Sequence, residues 1–285
     1  VRIRAPAKIN LFLRVVGKRK DGYHRLDTLM APVSLYDEIE IRKSRRAPRS
    51  AAPRIAVGCA HPLVPPGEKN LAFRAARLLL PRIDPRWAVR IGIRKRIPVG
   101  AGLGGGSADA AATLTGLNRL FRLGLTDAQL EKLALALGAD VPFFVRARPA
   151  RARGIGERLS PVGKLPALWL VILYPGFPVS TARVFRKLPA LTKTRVNTSI
   201  ATSLKSPDTI ASLLLNDLET VAFNLYPGIR LLKNKLLREG AAGGLMSGSG
   251  SAVFGIFRSK KMAEKAYLRL RKEEGVDAFL VRVLN

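Results

Sequence analysis

Apolar and polar residues alternate through Lys8-Ile9-Asn10-Leu11-Phe12-Leu13, which predicts a strand with Lys8 and Asn10 on one face and Ile9, Leu11 and Leu13 on the other. Trp87-Ala88-Val89-Arg90-Ile91-Gly92-Ile93 alternates in the same way. Between these strands, residues 42–54 hold six basic side chains, two prolines and no acid, a pattern that reads as an exposed loop. Asn70 is placed to cap a helix over 71–80, which Pro81 stops.

The middle of the chain changes period. An Ala- and Leu-rich run over 108–122 predicts a helix ending near Gly124. Thr126 with Gln129 forms a capping box for a second helix, in which Leu130, Leu133, Ala134 and Leu137 share a face and Gly138 is the stop. The last third opens with a buried-type strand at 168–174, too short to cross a bilayer. Helices over 209–225 and 227–239, strands near 244–246 and 252–257, a basic helix over 260–274 and a strand at 278–283 follow. That order fits a split βαβ, ferredoxin-like arrangement. Residues 151–166 are rich in Gly, Pro and charge, so the boundary between two α+β domains is placed there, giving domains at 1–158 and 159–285.

Composition narrows the chemistry. Fifty Lys and Arg against 20 Asp and Glu leave a net charge of +30 on 285 residues, which favours anionic partners. A nucleic-acid-binding protein is one reading of that charge, but there is no zinc ligand set, basic zipper or ribonucleoprotein signature, and the 6% of aromatic residues are not interleaved with the basic runs. The expectation is therefore no specific nucleic acid and at most non-specific polyanion binding. One cysteine, Cys59, and two histidines, His24 and His61, are too few for a zinc site and exclude a disulfide framework within the chain. The first residues show no signal-peptide pattern, and a cytoplasmic chain with no membrane partner is expected.

The densest chemical signal is Pro98-Val99-Gly100-Ala101-Gly102-Leu103-Gly104-Gly105-Gly106-Ser107-Ala108. Glycines at this density lower stability unless bare backbone is needed. Here the run joins a strand to a helix N-terminus, where converging N–H groups suit a phosphate; a flexible turn capped by Ser107 is the alternative. The spacing of Gly100, Gly102 and Gly105 fits a dinucleotide pattern, but a second helix follows instead of a strand ending in an acid. Gly106 stands where a P-loop needs lysine, and the His-Arg-Asp and Asp-Phe-Gly marks of protein kinases are absent.

The loop resembles that of the GHMP kinase superfamily (galactokinase, homoserine, mevalonate and phosphomevalonate kinases). Pro6-Ala7-Lys8-Ile9-Asn10-Leu11 and Ser247-Gly248-Ser249-Gly250-Ser251 are similar to its other two motifs, in order. The resemblance implies a two-domain α+β fold, ribosomal protein S5-like at the N-terminus and ferredoxin-like at the C-terminus. It also implies ATP, with Mg2+ beside it, as phosphate donor. Asp21-Gly22-Tyr23-His24, Leu137-Gly138-Ala139-Asp140-Val141-Pro142-Phe143-Phe144 and Gly154-Ile155-Gly156-Glu157 are similar to the branch whose acceptor is a cytidine-diphosphate-linked methylerythritol of the non-mevalonate isoprenoid pathway. A superfamily kinase for a different small alcohol is the alternative, against which Tyr23-His24 stands.

By that resemblance, Asp140 accepts the proton of the acceptor hydroxyl, and Lys8 polarises that hydroxyl and offsets charge on the moving phosphoryl group. Residues 98–108 and Asn70 line the ATP site. Asn10 positions the acceptor, while Tyr23 and His24 take the cytosine, with Thr181 and Phe185 as the far wall of their pocket. Gly248, Ser249 and Gly250 bring backbone close to the acceptor. Asp109 is read as an acid favouring its helix N-terminus, and no side-chain metal site is assigned. Oligomeric state is left open.

Overall fold

The computed structural model describes residues 1–45, 54–188 and 204–285. They cluster into two compact units that interleave along the chain. The first is Val1–Ala7, Leu35–Val99 and Gly104–Ala147; the second is Lys8–Ser34, Gly100–Leu103 and Arg148–Asn285.

Two long strands, β1 (Arg2–Lys18) and β2 (His24–Arg45), contribute residues to each unit. The first unit continues with β3 (Ile55–Cys59), α1 (Leu71–Leu79), β4 (Trp87–Arg94), α2 (Gly105–Phe121), α3 (Asp127–Leu135) and α4 (Val141–Arg146). β4 runs antiparallel to β2, from Glu38 opposite Arg94 to Arg45 opposite Trp87, and parallel to β3. Residues 42–45 are therefore strand, a correction to the loop expected over 42–54; residues 46–53 lie outside the described residues. The strand tolerates its cations because they stay exposed or lie on rings: the Lys43 ammonium is 4.8 Å from the centre of the Trp87 ring.

Local signals hold in the helices. Asn70 caps α1 through its side-chain oxygen, and the Thr126–Gln129 box opens α3. α2 begins three residues ahead of the sequence expectation, with Gly105, Gly106 and Ser107 inside it and Gly104 in the preceding left-handed position. Helical glycine costs about 1 kcal/mol relative to alanine. Space outweighs that cost, since a Cβ on Gly105 would sit 3.0 Å from Ile97 Cγ2 and from Lys95 Nζ. Gly116 plays the same part further along, where a Cβ would lie 2.5 Å from Ile41 Cδ1 and 2.8 Å from Ile3 Cδ1.

The second unit adds β5 (Ala150–Gly154) and β6 (Arg158–Pro161), a hairpin on the first half of β2 that occupies the stretch expected as a boundary. Then follow β7 (Trp169–Tyr174), α5 (Thr181–Arg186), α6 (Pro207–Ala211), β8 (Leu215–Asn216), α7 (Glu219–Leu225), α8 (Pro227–Arg238), β9 (Gly243–Met246), β10 (Val253–Phe257), α9 (Lys260–Leu270) and β11 (Asp277–Arg282). The sheet order β11-β7-β10-β9, all antiparallel, is the split βαβ topology read from the sequence. Its buried face packs Val171, Leu173, Met246, Val253 and Phe257 against Val221, Ile229, Leu232, Leu236 and Ala263.

The single helix expected over 209–225 is two helices with β8 between them. Asn216 and Asp217 break it: the buried Asn216 and half-buried Asp217 side chains bond to other backbone segments, and Leu215 and Asn216 pair parallel with Phe12 and Leu13 of β1.

Candidate active site

Lys8 lies on β1 with only 4% of its surface exposed. A buried ammonium is stable only if it is solvated by protein atoms. Its Nζ donates to Asn10 Oδ1 at 2.6 Å, Asn10 Nδ2 donates to Thr28 Oγ1 at 2.8 Å, and Thr28 Oγ1 donates to the Phe12 carbonyl at 2.6 Å. Lys8 and Asn10 therefore share a face as their spacing predicts, and a polar chain from Thr28 fixes both. The Lys8 backbone N–H donates to the Leu103 carbonyl at 2.9 Å, tying the start of this stretch to the glycine loop.

Gly100, Gly102 and Gly104 all have positive φ, from 68° to 76°. A Cβ on Gly102 would strike the Ser247 carbonyl oxygen, and one on Gly100 would lie 2.5 Å from Pro178 Cβ. Both glycines are therefore required by conformation and by space. Between them, Ala101 and Leu103 are buried and anchor the loop. Ser247 Oγ donates to the Gly102 carbonyl at 3.0 Å, Ala252 N–H to Ala101 at 3.1 Å, and Val179 N–H to Gly100 at 2.9 Å. Gly248, at φ 55°, sits so close that a Cβ would lie 3.3 Å from Lys8 Nζ and 3.2 Å from the Gly102 carbonyl. Lys8, Gly100–Leu103 and the Ser247-Gly248-Ser249-Gly250 turn thus form one cluster.

Two further assignments lie in the same unit. The His24 and Phe185 rings stack with centroids 5.1 Å apart and planes at 30°. Burial, aided by Lys18, lowers the His24 pKa below its usual 6.5, which favours the neutral ring. Tyr23 is exposed in the turn before it. Thr181 Oγ1 and Ser249 Oγ are hydrogen-bonded at 2.8 Å, joining the start of α5 to the second glycine-rich turn.

The remaining sequence-derived candidates belong to the first unit. Asp140 occupies the position before α4, half-buried and making no side-chain cap bond; buried Val141, Phe143 and Phe144 hold that helix in place. Asn70 uses its amide locally, accepting from Ala72 N–H at 2.9 Å and donating to the Pro65 carbonyl at 3.1 Å. Pro98 and Val99 precede the loop, while Ser107 and Ala108 stand in the first turn of α2.

Sequence reasoning missed the buried ionic cluster beneath that turn. Asp109 is 4% exposed, and its Oδ2 accepts from Lys95 Nζ at 2.8 Å. Lys95 also pairs with Asp37, whose other oxygen accepts the Arg96 and Ile97 N–H groups at 2.6 and 2.9 Å. Asp109 Oδ1 has no hydrogen-bond partner. Burial raises the Asp109 carboxyl to about 7 despite Lys95, with Asp37 adding to the rise. The clamp joins the exit of β4 to the entry of α2, the two ends of the glycine run. Only the strand-loop-helix context hints at it. Among the described residues, no group of three His, Cys, Asp or Glu side chains is arranged to hold a metal ion, and no helix is long and apolar enough to cross a membrane.

A strand, a glycine loop with three left-handed positions, a buried lysine and a second glycine-rich turn make up the candidate site. Residues 70–148 match the GHMP kinases N terminal domain and residues 200–277 the GHMP kinases C terminal domain. A 4-diphosphocytidyl-2-C-methyl-D-erythritol kinase of Citrifermentans bemidjiense is 48% identical over 98% of both chains, and one of Syntrophus aciditrophicus is 45% identical over 100% of both. The crystal structure of a 4-(cytidine 5'-diphospho)-2C-methyl-D-erythritol kinase superposes with a TM-score of 0.84 at 37% identity over 100% of each chain. A mevalonate kinase structure, at a TM-score of 0.70 and 16% identity, shares the fold. The chain belongs to the GHMP kinases and, within them, to the family of 4-diphosphocytidyl-2-C-methyl-D-erythritol kinases.

Proposed function

We propose that the chain transfers the γ-phosphoryl group of ATP to the 2-hydroxyl of 4-diphosphocytidyl-2-C-methyl-D-erythritol, giving ADP and the 2-phosphate. The observation that carries this reading is the near-complete coverage of relatives bearing one name. The Lys8 cluster supports it independently: a buried cation beside two glycine turns is suited to developing negative charge.

In this reading Asp140 takes the proton from the 2-hydroxyl as its oxygen forms a bond to the γ-phosphorus; the bond from that phosphorus to the β–γ bridging oxygen breaks, and ADP leaves. Lys8, held by Asn10, polarises the hydroxyl and balances charge on the phosphoryl oxygens. Such chemistry rests on alignment and electrostatics, which a rigid polar chain provides. Residues 98–108 cradle the triphosphate, and Asn70 borders the adenine. Tyr23, His24, Thr181 and Phe185 receive the cytidine; Asn10, Gly248, Ser249 and Gly250 receive the methylerythritol end. Magnesium bound with ATP would offset charge on the β and γ oxygens, and the Ser107 hydroxyl is the side chain that would stand near it. The reaction is assigned to the cytoplasm, without membrane or specific nucleic-acid partners.

The test is an ATP-dependent phosphorylation assay on the cytidine-linked alcohol with Asp140→Asn. The variant is expected to retain ATP affinity and lose turnover. Unchanged turnover removes Asp140 as the base; absence of turnover in the wild type removes the substrate.

A further inference from the structure

The segment Asn216-Asp217-Leu218-Glu219 belongs to none of the three glycine or lysine motifs, yet it is bonded to Gly248 of the second glycine turn and to β1, the strand that carries Lys8. Asn216 is 5% exposed, and all its amide capacity is directed at backbone. Nδ2 donates to the Met246 carbonyl at 2.8 Å and to the Gly248 carbonyl at 2.7 Å, and Oδ1 accepts from Leu218 N–H at 2.9 Å. Its neighbours extend the same latch. Asp217 Oδ2 accepts from Val15 N–H at 2.7 Å and Asp217 N–H donates to the Leu13 carbonyl at 3.0 Å, both on β1. Glu219 Oε1 accepts from Met246 N–H at 2.8 Å, and its Oε2 accepts from Lys233 at 2.7 Å.

Gly248 has little freedom of its own to resist displacement. It is a glycine at φ 55°, within a turn of alternating glycine and serine, and it lies against Lys8 Nζ and the Gly102 carbonyl. What fixes its peptide is the bond from Asn216. We propose that Asn216 is a positioning residue for phosphoryl transfer: by holding the Met246 and Gly248 carbonyls it sets the turn that borders the Lys8 ammonium and the phosphate loop. This rests on Lys8 acting as proposed above. A purely structural asparagine would lower stability alone; a positioning one lowers the rate at which bound substrates react.

The experiment compares Asn216→Ala and Asn216→Asp with Asn118→Ala, using purified full-length protein, MgATP and the cytidine-linked alcohol. Asp keeps the shape and the Leu218 bond while removing both donors. Asn118 is a matched control: it also makes two backbone bonds, to Leu125 at 2.9 and 3.0 Å, but lies outside the cluster. Both Asn216 variants are expected to lose kcat on the order of 10- to 100-fold, the scale of a small misplacement, with KM for ATP changing about two-fold or less. Asn118→Ala is expected to lower Tm with kcat and KM unchanged. Gly248→Ala should reduce kcat as well, and its effect should be non-additive with Asn216→Ala, since both disturb one contact.

Retained kcat per folded molecule in the Asn216 variants overturns the proposal, as does strict additivity with Gly248→Ala. Failure of both Asn216 variants to fold while Asn118→Ala folds overturns it in favour of a structural role. Lys8→Met separates the two inferences. If it retains turnover, the reading of Lys8 has failed and this inference falls with it. If it loses turnover while the Asn216 variants keep theirs, the inference alone has failed.

Discussion

Two buried charges show how differently a protein can hold an ion. Lys8 donates to Asn10, which Thr28 holds in turn, so a polar chain fixes the ammonium in place. Asp109 shares one lysine with Asp37 and leaves an oxygen unsatisfied; burial, with Asp37 adding to it, pushes its carboxyl up to about 7 despite that lysine. Because the folded value lies above the reference 3.8, the folded protein binds this proton more tightly than the unfolded chain. The stability that the proton confers is present at low pH and is lost as pH rises through about 7. Asp109→Asn is expected to flatten the decline in Tm between about pH 4 and pH 7, measured by thermal melts across that range. At His24 the expectation concerns binding: His24→Ala, which removes a ring stacked on Phe185, should abolish the thermal protection that CMP gives the wild type. Both residues are visible in the sequence, but only His24 lies in a motif that suggests a role there. The partners of Asp109 lie 72 and 14 positions away, and no local pattern reports them.

At the scale of elements, local chemistry was readable wherever a single turn decides the outcome. Thr126 and Gln129 form the expected box, and Thr126→Ala should cost about 1 kcal/mol, seen as a fall of a few degrees in Tm with turnover unaffected. Gly102→Ala should do more, because φ 76° and the Ser247 carbonyl both exclude a Cβ. The expected outcome is a lower Tm together with a raised KM for ATP, read from melts and steady-state kinetics. Elements set by distant contacts were misread. α2 starts within the glycines, where Ile97 and Lys95 crowd the position of Gly105, and residues 209–225 divide because Asn216 and Asp217 bond to the second glycine turn and to β1. Neither cause lies within the window over which periodicity is counted.

The whole molecule carries +30, and among the described residues most of the Lys and Arg side chains are exposed. Its effect on catalysis is expected in encounter rates: raising ionic strength should lower kcat/KM for both anionic substrates while kcat changes little, a dependence measured by steady-state kinetics across a salt series. The chain also has an order in time. Lys8 is made before the turn bordering its ammonium and the amide latching that turn, which lie at 248 and 216. Much of the second unit is added only from Arg148 onward. A nascent chain halted before β9 would hold the phosphate-loop sequence and the lysine without the turn that borders them. Synthesis from the N-terminus therefore makes the surroundings of Lys8 depend on residues added 208 and 240 positions after it, and a stop ahead of Gly248 is expected to abolish turnover although Lys8 and the glycine run are both present.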